Sequence, residues 1–300
     1  MKKICTHVHS RYEKGITWPQ MPAYTYPTPS ELRPFFEKLN IERGVLLPGV
    51  SPEGRHYQVT NEEAIRIVKE NPDLYDWFCG VDPRWAPNTA DGDMSYFIRY
   101  YMAHGAKGVG EVTAKLSIDD PKMQNMFFHI EQCGLPLVFH LGTPESPYGM
   151  VDEVGLPRLE ASLERFPKLI FIGHSQPFWA EISTDCTAEN RNSYPKGKVT
   201  PGRVVTLLRR YPNLHADLSG GSGWNALSRD PGFAYDFLEE FQDRLYYATD
   251  IAQPKWSEFL SLGAWLDEAD AQGYISHAAY VKICRNNALR LLGRENEREV

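Results

Sequence analysis

Lys2-Lys3-Ile4-Cys5-Thr6-His7-Val8-His9-Ser10 is the stretch from which the rest of the chain is read. Ile4 and Val8 give it strand character, and side chains two apart in a strand share a face. His7 and His9 would therefore stand side by side, where one cation could hold both imidazoles. A His-x-His pair also fits ordinary strand-end histidines, so its meaning depends on what the chain places beside it.

Moving outward, short apolar runs alternate with helical patterns. Strand candidates after Ile4–His9 are Gly44–Leu47, Trp77–Val81, Gly108–Val112, Leu137–Leu141, Leu169–Gly173, Leu214–Leu218 and Leu245–Thr249. Helical patterns lie near Ser30–Asn40, Asn61–Glu70, Asp93–His104, Lys122–Cys133, Pro157–Phe166, Gly202–Tyr211, Gly232–Phe241 and Trp256–Ala269, with Thr60 and Asp93 as N-cap candidates. Near-continuous apolar strands separated by helices indicate a parallel sheet covered on both faces. Eight such units in 300 residues predict an α/β fold, a closed (β/α)8 TIM barrel, as one domain over residues 1–300. An open doubly wound sheet is the alternative, weakened because Gly108-Val109-Gly110 has Thr113 where a dinucleotide-binding turn needs its third Gly. Ser276–Leu292 reads as a closing amphipathic helix. Two long connections, Ser10–Pro29 and Ser175–Pro201, leave strand C-termini, the face where barrels keep their sites.

The composition is that of a soluble globular chain, and the net charge of -7 argues against nucleic acid as partner. No apolar run approaches the roughly 20 residues of a membrane helix, and no secretory leader follows Lys2-Lys3. The five cysteines are odd in number and form no Cys-x-x-Cys pair, which excludes a disulfide framework and a zinc ribbon; Cys5 and Cys79 read as buried thiols. A cytoplasmic location is expected. The sequence leaves homo-oligomerisation open.

The strand ends carry the chemistry. Leu137-Val138-Phe139 runs into His140, Ile170-Phe171-Ile172-Gly173 into His174, Tyr247-Ala248-Thr249 into Asp250, and Gly108-Val109-Gly110 into Glu111. With His7 and His9, six metal-competent side chains close five of the eight strands. In a barrel all would meet at the C-terminal mouth, which predicts a metal site.

With those residues in view, the chain resembles the amidohydrolase superfamily over nearly its whole length. The nearest branch is similar to the amidohydrolase-related metal-dependent hydrolases that include aminocarboxymuconate semialdehyde decarboxylase. Ile283-Cys284-Arg285-Asn286-Asn287-Ala288-Leu289-Arg290-Leu291-Leu292 is similar to that family's closing helix. The resemblance implies that His7, His9, His140 and Asp250 bind a divalent metal, most often zinc. It implies that His174 is acid/base or a further ligand. Glu111 stands where many relatives carry a carbamylated Lys bridging two metals and others a Glu; a bridging Glu111 makes two ions, a non-bridging one leaves one. One zinc is expected, with a second position open. Lys107 is four residues too early for the bridging role. A bound ion lowers the pKa of its water from about 15.7 to about 7, after which Asp250 can act as base and His174 as acid.

Softer signals surround this core. Ser219-Gly220-Gly221-Ser222-Gly223 follows the seventh strand and reads either as an anion-binding loop or as a tight turn. Trp179 and Trp224 are candidate pocket walls, and Arg229 and Arg55 candidate carboxylate clamps. Gly173-His174-Ser175-Gln176-Pro177 imitates a nucleophile elbow, but Pro177 replaces its last Gly and no helix signal follows Ser175. The reading is a metal-dependent hydrolase of an ester, lactone or amide in a small molecule. The alternative is a non-oxidative decarboxylase of an unsaturated or aromatic acid; a nuclease and a binding protein with a dead site are disfavoured.

Overall fold

The computed structural model describes residues 1–17, 25–53, 58–85, 87–254 and 260–297; Arg55 and the predicted start of the helix at Trp256 lie outside them. Each strand candidate overlaps an observed strand, although the one at Trp77–Val81 does so only through Trp77: β1 (Lys3–Val8), β2 (Ile41–Leu46), β3 (Tyr75–Trp77), β4 (Val109–Val112), β5 (Leu137–Gly142), then, after a two-residue strand β6 (Met150–Val151), β7 (Phe171–His174), β8 (Leu214–Asp217) and β9 (Leu245–Tyr246). Pairing is parallel throughout, in the orders β1-β2-β3 and β4-β5-β7-β8-β9, with β6 beside β5. The two arcs join into a ring. Cys79, just past β3, bridges Val109 and donates its N–H to Gly108 O at 2.9 Å. Val8 bridges Ile251, and the Asp250 N–H donates to His7 O at 2.9 Å. The fold is the eight-stranded barrel that the alternation predicts.

The helices of the outer layer are α1 (Pro29–Leu39), α2 (Asn61–Glu70), α3 (Ser95–Ala103), α4 (Pro121–Cys133), α5 (Pro157–Arg165), α6 (Gln176–Ala180), α7 (Arg203–Arg210), α8 (Gly220–Ser228), α9 (Pro231–Glu240) and α10 (Leu260–Ala271). Their boundaries have local causes. Thr60 caps α2 by accepting from the Glu63 N–H. Asp93 accepts from the Ser95 N–H at the start of α3. Proline opens α1, α4, α5 and α9, where its missing N–H costs nothing. The final pattern runs as α11 (His277–Val281), a π-helical turn (Lys282–Asn286) and α12 (Asn287–Leu291).

Inside the ring, Ile4, Val45, Leu47, Phe78, Val138, Ile172 and Tyr246 form one buried cluster with Ala288, Leu289 and Leu292. The end of the chain therefore plugs the barrel bottom. A larger cluster, holding Cys5, Val8, Val109 and Val112 among others, fills the space between strands and helices. Cys5 and Cys79 are buried thiols, and burial pushes both up to about 12. Among the described residues no helix is long and apolar enough to cross a membrane.

Two register shifts decide which way the chemistry faces. In β1, Cys5 pairs with Gly44 but Val8 with Leu46, so three steps oppose two. Cys5 and Val8 both face the helices, which leaves Ile4 and then His7 and His9 on the inside. Strict alternation would have turned Ile4 and His7 to opposite faces. In β4 the same occurs: Val109 pairs with Leu137 and Val112 with Phe139, and Glu111 between them turns inward. Gly110 makes this geometry accessible. Its φ is +147°, and a Cβ there would lie 2.8 Å from Val138 O.

Replacing the plug residue Leu289 by Ala is expected to cost about 2–5 kcal/mol, because the rigid ring cannot collapse onto the cavity. Urea unfolding monitored by circular dichroism checks this; a change of less than about 1 kcal/mol would mean the plug adds little.

Candidate metal centre

Five of the six predicted strand-end residues converge. His7, His9 and Asp250 each offer a ligand atom within 4.8 Å of the other two, and so do His7, Glu111 and His174. His9 Nε2 lies 3.3 Å from Asp250 Oδ1 and 3.7 Å from Glu111 Oε2. His174 Nε2 lies 3.7 Å from Asp250 Oδ2 and 3.9 Å from Glu111 Oε1. His140 sits beside this set rather than in it. Its Nδ1–H donates to Glu111 Oε1 at 2.7 Å, and its ring lies 5.3 Å from that of His174.

Hydrogen bonds fix the tautomers. His9 Nδ1 faces Leu47 O at 3.0 Å, and a carbonyl can only accept, so Nδ1 carries the proton. Tyr26 stacks on the same ring at 4.7 Å, within 7° of parallel. His7 Nδ1 lies 2.6 Å from Asp217 Oδ2, so it too donates from Nδ1. The Nδ1–H of His174 lies between Ser219 Oγ at 2.9 Å and Asp217 Oδ1 at 3.4 Å. All three Nε2 atoms are thereby aimed at the centre.

Asp217, at the end of β8, is the functional residue that sequence reasoning missed. It closes Leu214-His215-Ala216 as His140 closes its strand, but the following Leu218 extends the apolar run and hides the end. Its carboxylate joins His7 to His174, its Oδ1 accepts from the Ser219 N–H at 2.8 Å, and its backbone O accepts from Trp179 Nε1 at 3.0 Å.

This donor set calls for a cation. His7 Nε2 and His9 Nε2 are 3.2 Å apart, so a proton or a cation must stand between them. Among the described residues no lysine or arginine pairs with Glu111, Asp217 or Asp250. Burial favours the neutral acids, yet the surrounding imidazoles outweigh it. Glu111 is held well below the usual carboxylate range by its bond to His140 and by the charges of His140, His7 and His174. Asp217 is held low by His7 and His174, and Asp250 by His7, His9 and His174. Burial pulls His174 down, but Asp217, Asp250 and Glu111 raise it to about 9. Imidazole and carboxylate donors of this kind suit zinc, manganese or another divalent ion.

The remaining candidates have other partners. Trp179 is buried and packed against Phe178 and Phe237, with its N–H used by Asp217 O, so it supports β8 instead of walling a pocket. Trp224 packs edge-on against Trp265 in the helical layer. Arg229 is paired with Asp185 and with the Gly197 and Lys198 carbonyls, which ties down the 175–201 connection and leaves it no role as a clamp. A helix does begin directly after Ser175, whose φ is +103°, contrary to the sequence reading. Ser175 Oγ donates to Leu141 O at 2.7 Å, however, so its hydroxyl is structural and the serine-nucleophile reading gains nothing. Lys107 is exposed two residues before β4, away from the strand's C-terminal end.

Residues 7–294 match the profile of the family described as Amidohydrolase. No curated protein matches the chain. Among solved structures, 2,6-dihydroxybenzoate decarboxylase from Rhizobium is 17% identical with a TM-score of 0.56, over 97% of this chain and 98% of that one. A dihydroxybenzoic acid decarboxylase from a Polaromonas species, with bound manganese and the inhibitor 2-nitroresorcinol, is 15% identical with a TM-score of 0.58, over 97% of each chain. A probable 2-pyrone-4,6-dicarboxylic acid hydrolase from Acinetobacter baumannii, with citric acid bound, is 15% identical with a TM-score of 0.53, over 98% of this chain and 100% of that one.

Two outcomes test this geometry. Asp217→Asn keeps the shape but can accept from only one of its two imidazoles, so divalent-metal affinity should fall about 10–100-fold by chelator competition. Unchanged affinity would show that Asp217 does not orient the ligands. The second concerns pH. His174 holds its proton up to about 9 in the folded chain against 6.5 for the free side chain, so its stabilisation is full below about pH 6.5 and is lost as pH rises through 9. In chelator-treated protein, stability should drop by up to about 3 kcal/mol across that interval, and His174→Gln should flatten the drop. A profile that His174→Gln leaves unchanged would remove the three carboxylates as its cause.

Proposed function

Because the chain belongs to the amidohydrolase family, we propose that it is a metal-dependent enzyme acting on a small organic acid, and that its reaction is non-oxidative decarboxylation of an aromatic or unsaturated acid. The observation that carries this reading is the placement of His174. Its Nδ1 side is anchored by Asp217 and Ser219, and its Nε2 faces the carboxylate-rich centre. A proton held there is poised for delivery to a substrate carbon.

His7, His9 and Asp250 would hold the ion, with Glu111 as a fourth donor or as one side of a second position. Zinc fits the donors, and the manganese of the Polaromonas protein shows that a related barrel accepts another divalent ion. When bound, the cation supplies Lewis acidity for the substrate carboxylate and a neighbouring oxygen. The chain's own groups then do the following. His174 delivers its proton to the carbon bearing the carboxylate, which puts a new C–H bond in place. The bond to the carboxylate breaks, its electron pair returns to the π system, and carbon dioxide leaves. Asp217 stabilises the imidazolium before transfer and keeps the ring in register after it. Solvent returns the proton.

Decarboxylation is preferred to hydrolysis of an ester, lactone or amide because solved relatives of the fold that are named for this chemistry span nearly the whole chain. Hydrolysis is the second reading. The Acinetobacter protein is named as a probable hydrolase, and Asp250 beside the same centre could accept a proton from water.

Isotopes separate the two. In deuterium oxide, decarboxylation of a dihydroxybenzoate leaves one deuterium on the vacated carbon. Hydrolysis in oxygen-18 water instead labels a product carboxylate. The expected result is carbon dioxide release abolished by a chelator and restored by zinc or manganese. His174→Gln should lose about 100- to 10,000-fold in kcat while retaining the metal by elemental analysis. Turnover that survives the chelator overturns the reading.

A further inference from the structure

At the end of the barrel opposite the metal centre, the starts of β5, β7, β8 and β9 and the last helix, α12, surround a cavity of about 230 Å³. An apolar cavity of about 150 Å³ is enough to hold benzene, so this one has room for a single ring and a substituent. Its walls are of two kinds. Leu135, Pro136, Ile170 and Leu291 supply hydrocarbon. The rings of His215 and Tyr246, stacked with centroids 5.7 Å apart, supply an aromatic face. His215 Nδ1 lies 2.7 Å from the Tyr246 hydroxyl, so these two polar groups satisfy each other.

The charges around this cavity are not balanced. Lys168 and Arg290 both line it, and among the described residues no acid pairs with either. Lys168 donates only its backbone N–H, to Glu131 Oε1 at 2.9 Å. The bond of the Arg290 guanidinium is a long one, 3.4 Å to Asn287 Oδ1 within the same helix. Asp243 is the acid among the lining residues, and it is taken by Lys282, whose Nζ lies 2.9 Å from Oδ1. Arg244 is spent on the Leu208 and Tyr211 carbonyls, and Asn287 on those of Gln242 and Leu245. Burial governs the titration of His215 and Tyr246, and the charge of Arg290 acts on both, which places the guanidinium within electrostatic reach of the aromatic face.

We propose that this cavity is a second binding site, for a small organic anion: a carboxylate carried on one apolar ring, with the carboxylate between Lys168 and Arg290 and the ring against Ile170, Leu291 and Tyr246. Two cations without acid partners beside hydrocarbon walls suit a ligand that is charged at one end and apolar at the other. A guanidinium can take a carboxylate through two parallel bonds, and a lysine adds a point charge. Inorganic phosphate would meet the charges and leave the hydrocarbon walls uncovered; a neutral ring would do the reverse. The helix that bears Arg290 and Leu291 also plugs the barrel, so a ligand held here ties the plug to the starts of β5 and β7 and stabilises the folded chain by mass action. Nothing in this site depends on which reaction the metal centre performs.

The test is calorimetric titration of the zinc-loaded full chain with 4-bromobenzoate. One binding event should weaken about fivefold or more in Arg290→Ala and in Lys168→Ala, and largely return in Arg290→Lys. Binding of the probe at the metal centre is untouched by these substitutions, which lie at the other end of the barrel. Both side chains are exposed, so the variants should fold, which circular dichroism checks. Bromine anomalous scattering from a soaked crystal should place the probe beside Ile170 and Leu291. At this site 4-bromobenzyl alcohol and inorganic phosphate should each bind about fivefold or more weakly than the probe. Isotherms that neither alanine variant alters overturn the proposal. So does bromine in the crystal without that change in solution, which is binding at crystal concentration only. Equal affinity for the alcohol would remove the two cations from recognition, and equal affinity for phosphate would remove the ring; either result overturns it as well.

Discussion

The carboxylate of Asp217 sits between two imidazoles, 2.6 Å from His7 Nδ1 and 3.4 Å from His174 Nδ1. Almost everything at the mouth depends on that arrangement. A carboxylate accepts and cannot donate, so both rings must carry their proton on the Asp217 side. Both Nε2 atoms then face the centre, with Ser219 Oγ at 2.9 Å helping to hold the His174 ring. The dependence runs the other way as well. A buried carboxylate would take up a proton if left alone, and it is the two imidazoles that keep Asp217 charged. Imidazole and carboxylate stabilise each other's charged state. The support extends outward through Ser219 N–H to the start of α8 and through Trp179 Nε1 to α6.

The fold was legible in the sequence because burial on both faces writes each strand as an apolar run, and most of these runs stop at a polar residue. The site was legible for the same reason: His7, His9, Glu111, His174 and Asp250 are the places where apolar patterning fails. Sequence could not show rotation about the strand axis. His140 ends its strand as expected, yet its Nδ1 is turned to Glu111, which no spacing rule reveals. The loop residues misled for a different reason. Trp179 and Arg229 look available in a sequence, but an indole N–H and a guanidinium in a folded chain are commonly taken by backbone carbonyls and a nearby carboxylate, as here.

The register shifts resolve a conflict built into the barrel. Each strand has a period of two, and the interior must be hydrocarbon at the bottom and charged at the top. On β1 the inward positions run from Ile4 to His7, an odd step that regular pleating does not permit. One extra residue opposite Gly44–Leu46 changes the parity, so the same strand serves the apolar cluster and then the metal centre. On β4 the extra residue turns Glu111 inward while Val109 and Val112 keep their places among the helices.

That separation of the two ends also sets the strength of the charges. Ala288, Leu289 and Leu292 close the bottom of the ring with hydrocarbon. Below the centre the interior is apolar, and field lines from Glu111, Asp217 and Asp250 pass through it. Their mutual repulsion would be weak in solvent and is strong here. The imidazoles of His7 and His174 answer it in part by holding protons more tightly than free histidine. A divalent ion held by His7, His9, Glu111 and Asp250 would answer it more fully, because it carries twice the charge of a proton. The apolar plug at one end is thus part of what makes a cation favourable at the other.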